Sequence, residues 1–329
     1  WRPGGAGAAA HPRWLLLAAN RRLFWFSADT GEDVLVHEGR EVYYGAFPGE
    51  PLGDGSATLW ALARPEKHWQ RRAEHLVRLP ASGAGAARAP LEEVEVPTQN
   101  AHDAVLAGAT VLVASTTTGA IVELDYPGMA LRAVHELFQR RDHLNTLAPV
   151  VEDSAAAGSE TGDSLKVWAL LHSQRNPSRL ELRDLRRGRD APALAAVEHF
   201  GKGGHSLAQL GGEVLVLSSD SGRLMRAEPG AEPGGGRPAA VWKDPEGAFL
   251  KGLCVVEGVA YIGANRRNST ELVAVNITSG EALFRRDVPS ARGKLNTVSA
   301  PHLSARSAYD ARAARWDRAL RPQGFDERG

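Results

Sequence analysis

The sequence predicts an all-β protein folded as a six-bladed β-propeller, and two observations predict it. A cycle of four strand-like runs repeats five times along the 329 residues, and the two ends hold complementary parts of a sixth cycle. The N-terminal side supplies three runs without a leading member, and the C-terminal side supplies a leading member without the other three. Pairing the ends in one sheet closes a ring and removes the exposed edges of an open array.

Residues 1–11 are Gly/Ala-rich and aperiodic and read as a flexible N-terminus; residues 12–303 form the propeller. Arg13–Ala19, Leu23–Ala28 and Asp33–His37 are the three unled runs. The first full cycle is Val42–Phe47, Ala57–Ala63, His75–Leu79 and Leu91–Val96; the second is His102–Ala107, Thr110–Ser115, Ala120–Asp125 and Leu131–His135. Leu144–Val150, Leu165–Leu171, Arg179–Arg183 and Ala195–Phe200 make the third, interrupted by a low-complexity insert at Ser154–Ser164. His205–Leu210, Glu213–Ser218, Arg223–Ala227 and Ala239–Trp242 make the fourth, with a Gly/Pro-rich loop at Pro229–Pro238. The fifth is Leu250–Val256, Val259–Ala264, Glu271–Val275 and Ala282–Arg286, and Leu295–Ala300 is the leading strand that the N-terminal runs lack. In residues 304–329 the period changes: Tyr309, Ala313, Trp316 and Leu320 share one stripe among arginines, which predicts a C-terminal amphipathic helix and tail.

Lys plus Arg and Asp plus Glu balance at 39 each, so no global field attracts nucleic acid, and no apolar run reaches the length of a membrane span. Cys254 is the only cysteine, which rules out an intrachain disulfide; inside an apolar run it reads as a buried, inert thiol. The chain starts at Trp1 rather than Met, which reads as a trimmed end, and sequons at Asn268 and Asn276 point weakly to the secretory route.

Aligning the leading strands of the cycles produces a polar column: Tyr44, His102, Asn145, His205, Lys251 and Asn296. Leading strands line a propeller's central channel, so the column predicts six polar side chains converging near its mouth. Two residues earlier, Val42, Asn100, His143, Gly203, Phe249 and Lys294 form a second layer. Convergent polar groups in a concavity mark a binding site. Lysines with Asn, His and Tyr suit a small anionic or sugar-like ligand, held by Tyr44, Asn100, His143, Asn145, Lys294 and Asn296. His102, His205 and Lys251 are the candidate catalytic residues, for turnover of lyase or isomerase type.

Two further readings stand beside this one. In a metal-dependent hydrolase, His102, His143 and His205 would hold a divalent transition metal; in a scaffold, the loops at Ser154–Ser164 and Pro229–Pro238 would dock protein partners. No Asp or Glu occupies either column, Asp103 and Asp142 being one residue out of phase, so a calcium-type site is not expected.

The segments Gly108–Asp125, Gly211–Ala227 and Glu257–Asn276 share one form: Gly or Glu, an apolar run, a turn and an alternating strand. In them the chain resembles the six-bladed propeller superfamily of NHL-repeat, regucalcin/gluconolactonase, paraoxonase and strictosidine synthase-like proteins, from about Arg13 to Ala300. The resemblance implies a channel site. Hydrolases of that superfamily hold a divalent ion with carboxylates and asparagine; Asn145 and Asn296 match in type, while the carboxylates are missing from the column, which sets the resemblance against lactonase or esterase activity.

Overall fold

The computed structural model describes residues 14–66, 73–82, 89–150, 164–172, 176–229, 236–291 and 293–300. The flexible N-terminus, the C-terminal helix and most of both inserts fall outside the described residues. Within them the chain is all β, with four short 3-10 turns and no α-helix.

Trp14–Ala19, Arg22–Ser27 and Asp33–Glu38 (β1–β3) come first. The first blade is Val42–Gly49, Thr58–Arg64, Glu74–Pro80 and Glu92–Val96 (β4–β7), and the second is Ala101–Ala107, Thr110–Ser115, Ala120–Asp125 and Leu131–Glu136 (β8–β11). Leu144–Pro149, Lys166–Leu171, Arg179–Asp184 and Ala195–Val197 (β12–β15) build the third. Gly204–Leu210, Glu213–Ser218, Arg223–Ala227 and Ala239–Lys243 (β16–β19) build the fourth. Phe249–Val256, Val259–Asn265, Thr270–Asn276 and Ala282–Asp287 (β20–β23) build the fifth, and Leu295–Ser299 (β24) ends the described chain. The sixth sheet runs β24-β1-β2-β3, with Leu17 opposite Val298 and Ala18 opposite Thr297, so the two ends of the chain meet as predicted.

The core shows the ring to be closed. Six hydrophobic clusters lie between blades, and each joins one pair of neighbours, including the fifth with the sixth and the sixth with the first. Along β1, Leu15 and Leu17 face the fifth blade while Leu16 and Ala18 face the first. A strand buried on both faces has no need of polar alternation, which is why β1, β9 and β17 read as nearly unbroken apolar runs.

Ion pairs fasten some of these interfaces at the outer strands. Glu123 on β10 is completely buried; Arg186 of the third blade donates to it through two nitrogens, at 2.6 and 2.8 Å, and His135 Nε2 lies at 2.8 Å. Asp244, after β19, accepts in the same way from Arg266 and Arg285 of the fifth blade. The Arg186 guanidinium, outweighing burial, holds the Glu123 carboxyl at about 2. Its folded value lies below an unfolded value near 4.3, so its stabilisation is complete above about pH 4.3 and disappears as pH falls toward 2. Glu123→Gln is therefore expected to lower unfolding free energy by about 3 kcal/mol at pH 7 and to narrow the gap to the parent below pH 4. Urea titrations across pH 2.5–7 check this; a difference unchanged with pH would contradict it.

The innermost strands are stitched to one another around the channel. Each carries a bulge at the polar column: Gly45, His102, Asn145, Ser206, the pair Lys251-Gly252, and Asn296 have no partner in the register. A bulge breaks strict alternation and lets two successive side chains turn the same way. Residues one step past the column then accept amides from the next blade: Asp103 Oδ2 from Leu147 at 3.1 Å, Thr146 Oγ1 from Ser206 at 3.2 Å, and Ser206 Oγ from Gly252 at 3.0 Å.

Candidate functional site at the channel mouth

The polar column comes together where the six inner strands start. Below the rim is a cavity of about 150 Å³, lined among others by His102, Asp103, Asn145, Lys251, Asn296 and Thr297. From His102, which lines it, extends a continuous row of rings: Tyr44, His102, His143, His172, His205 and Phe249, with neighbouring centroids 4.8 to 5.6 Å apart. Three cations lie over the ends of this row. Arg64 Cζ is 4.3 Å and Lys251 Nζ 4.8 Å from the Tyr44 centroid, and Lys294 Nζ is 5.1 Å from that of Phe249. Among the described residues no carboxylate lies within ion-pair distance of any of the three, an arrangement that favours an external anion as their counter-charge.

Two of the blades build the same histidine device. His102 Nδ1 lies 2.8 Å from the Asn100 carbonyl and 2.7 Å from Thr116 Oγ1; His205 Nδ1 lies 2.9 Å from the Gly203 carbonyl and 3.0 Å from Ser219 Oγ. The two hydroxyls donate their own hydrogens to the carbonyls of Leu144 and Leu250 in the next blade. A carbonyl can only accept, so Nδ1 carries the hydrogen in both rings and Nε2 is left as a bare lone pair. Burial, with Lys251 near both and Arg64 near His102, pushes both rings well below the usual histidine value, so they are neutral at pH 7. His143 is lowered to about 4, by burial first and by His172 second. His172 is lowered by burial as well, although Asp220 at the rim opposes this.

Lys251 is lowered to about 7, by burial first and then by the charges of Arg64 and Lys294. Asp103 moves the opposite way, to about 7, as burial outweighs the amides of Leu147 and Ala104. Asn145 Nδ2, Arg64 Nε and His172 Nδ1 are buried without a hydrogen-bond partner. Unpaired buried donors are uncommon because each forgoes its hydration. Asn145 Nδ2 and Arg64 Nε are such donors, whereas His172 Nδ1 donates or accepts according to its tautomer.

Other predicted residues have structural duties. Asn296 Nδ2 donates to the Tyr43 carbonyl at 3.2 Å, tying the closing blade to the first, and Asn100 Oδ1 accepts from Arg64. The three expected metal ligands stand in a row rather than around a point, for His172 comes between His143 and His205. Among the described residues no group of three His, Cys, Asp or Glu side chains is placed to hold a metal ion, and the nearby cations would repel one. That geometry does not fit the metal-dependent alternative. Cys254 is half-buried, and burial pushes its thiol up to about 12, which agrees with an inert role.

Arg64, His172 and Asp103 were missing from the predicted set. Arg64 is opposite Val42 and His172 donates its amide to His143, so both end a second strand at the level of the second polar layer. Reading that second column beside the first would have found them. Asp103 follows an unpaired His102, and the bulge turns both toward the channel, contrary to its expected outward phase.

No protein-family model matches this chain, and no curated protein matches it. Solved structures do. The chain is similar to one in a nidogen/laminin complex, at 13% identity and a TM-score of 0.61, covering 88% of this chain and 98% of that one. It is also similar to a calcium-binding protein, regucalcin, of Agrobacterium tumefaciens, at 15% identity and a TM-score of 0.52, covering 79% of each chain. A Bacteroides caccae protein of unknown function matches at 14% identity and a TM-score of 0.55, over 87% of this chain and 98% of that one. The likeness is one of fold. It agrees with the propeller architecture and goes no further.

Proposed function

We propose that the propeller binds a small anion at its channel mouth. The supporting observation is the convergence of Arg64, Lys251 and Lys294 on one rim without a carboxylate partner among the described residues. Cations give charge complementarity, the unpaired Asn145 amide gives a directed donor, and the bare Nε2 atoms of His102 and His205 can accept from a ligand hydroxyl. A cavity of about 150 Å³ that opens to the mouth suits a small ligand. Turnover of lyase or isomerase type is favoured by one further feature: Lys251 and Asp103, both near 7, line the same cavity, and each can hold or release a proton at neutral pH.

Thermal unfolding in the presence of phosphate, pyruvate, gluconate or neutral glucose tests the binding. A saturable shift is expected for anions at constant ionic strength, reaching about 2.7 kcal/mol of stabilisation at a hundredfold excess over Kd. Arg64→Gln and Lys294→Gln are each expected to weaken it about tenfold. Equal shifts with glucose, or unchanged shifts in both variants, would overturn the proposal.

A further inference from the structure

Lys251 stands apart from the other two rim cations. Arg64 donates to Tyr44 and Asn100, and Lys294 sits over Phe249, whereas Lys251 lines the cavity itself. It belongs to the widest bulge of the ring, where Lys251 and Gly252 are both skipped by the register, so its side chain leaves the strand toward the axis and reaches the Tyr44 ring of the first blade. A primary amine that faces other cations, lacks a described carboxylate partner and borders a small cavity with a carboxyl group and an unpaired amide is the arrangement of an amine nucleophile.

We propose that Lys251 forms an imine with the oxo group of a small α-oxo acid held in the channel. This rests on the anion-binding reading and names the class of ligand. The Lys251 nitrogen attacks the carbonyl carbon; a C–N bond forms while the C=O π pair moves to oxygen, which takes a proton from the Asp103 carboxylic acid. The nitrogen releases a proton to a bare Nε2 of His102 or His205 or to the Asp103 carboxylate. The carbinolamine then loses its hydroxyl as water, with the proton returned from the same acid, and the nitrogen lone pair closes the C=N bond. One water leaves and no oxidant or reductant is required. Arg64 and Lys294 meet the ligand's carboxylate, and they also favour the neutral form of Lys251, whose value of about 7 leaves ample free amine at neutral pH. Asp103, also near 7, can both accept and return a proton. The iminium so formed withdraws electrons from the adjacent carbon, which suits lyase or isomerase turnover.

The full chain is incubated at pH 7 with pyruvate, and separately with 2-oxoglutarate, in the presence of sodium cyanoborohydride, and is read by intact mass and peptide mapping. One reduced adduct is expected per chain, mapped to Lys251 and formed at least tenfold faster than at any of the other five lysines. Excess phosphate should slow it, and Lys251→Arg should remove it. Labelling spread evenly over the lysines, labelling of Lys251→Arg at the parent rate, or no adduct in a protein that phosphate stabilises would each overturn the imine while leaving anion binding intact. Selective labelling of Lys251 that phosphate neither slows nor accompanies with stabilisation would uphold the nucleophile and overturn the anion-binding reading instead.

Discussion

Lys251→Met is expected to remove the stabilisation of the propeller by small anions and, without ligand, to make the protein more stable near neutral pH. Lys251 is held at about 7 in the fold, against about 10.4 for an unfolded lysine. Below pH 7 both states carry the proton, and the folded state bears the whole penalty of a cation beside Arg64 and Lys294. Between about pH 7 and 10.4 the unfolded chain binds more protons, so that penalty fades and the native protein gains stability as pH rises. Lys251 is only partly buried, and solvent screening reduces the expected gain of the Met variant to about 1 to 2 kcal/mol. Chemical unfolding at pH 6, 8 and 10 reads the effect. The variant should lead at pH 6 and converge on the parent by pH 10. A destabilised variant, or a gap that does not change with pH, would mean that Lys251 is not a strained cation. Stability lost for the sake of a site is a common mark of function.

Gly45→Ala is expected to be the more damaging change. Gly45 is the bulge of β4, with φ at +28°, and its backbone lies directly against β8. An added Cβ would stand 2.6 Å from the Ala104 carbonyl oxygen and 2.9 Å from Asp103 Oδ1. The carbonyl and the still nearer Ala104 amide nitrogen are backbone, and the Asp103 carboxylate is held by the amides of Ala104 and Leu147, so two inner strands must move apart at the point where they support His102 and Asp103. A loss of about 3 kcal/mol or more is expected from overpacking and left-handed strain together. Gly108→Ala separates the two terms. Gly108 has φ at +63° but open space around it, so that variant should lose only about 1 kcal/mol. Equal losses at the two positions would show that the approach of β4 to β8 is looser than described.

The ring was legible because its signal is redundant. Runs such as Thr110–Ser115 and Glu213–Ser218 keep their bounds between sequence and structure, since turn glycines and aspartates punctuate both ends. The complementary chain ends needed only counting. The first polar layer was legible for the same reason: inner strands start at equivalent places, so His102, Asn145, Lys251 and Asn296 fall on one cavity wall.

Three parts of the site were not. Asp103 was assigned the wrong face because alternation assumes an unbroken ladder, and a skipped His102 leaves no local mark in sequence. His172 and Arg64 belong to second strands, which a reading confined to first strands passes over. The pairing of His102 with Thr116 and of His205 with Ser219 spans fourteen residues in each case and becomes a signal only when two blades are set side by side. Asn296, by contrast, was read as a ligand group, and its amide is committed to the Tyr43 carbonyl.

Crystals grown with selenate, examined for anomalous scattering at the selenium edge, test the central claim most directly. An oxyanion is expected at the channel mouth, in contact with Lys251 and at least one of Arg64 and Asn145, and absent from Lys251→Met crystals grown in parallel. Selenate bound only on outer strands, with the mouth holding water alone at the same concentration, would contradict an anion site on the propeller axis.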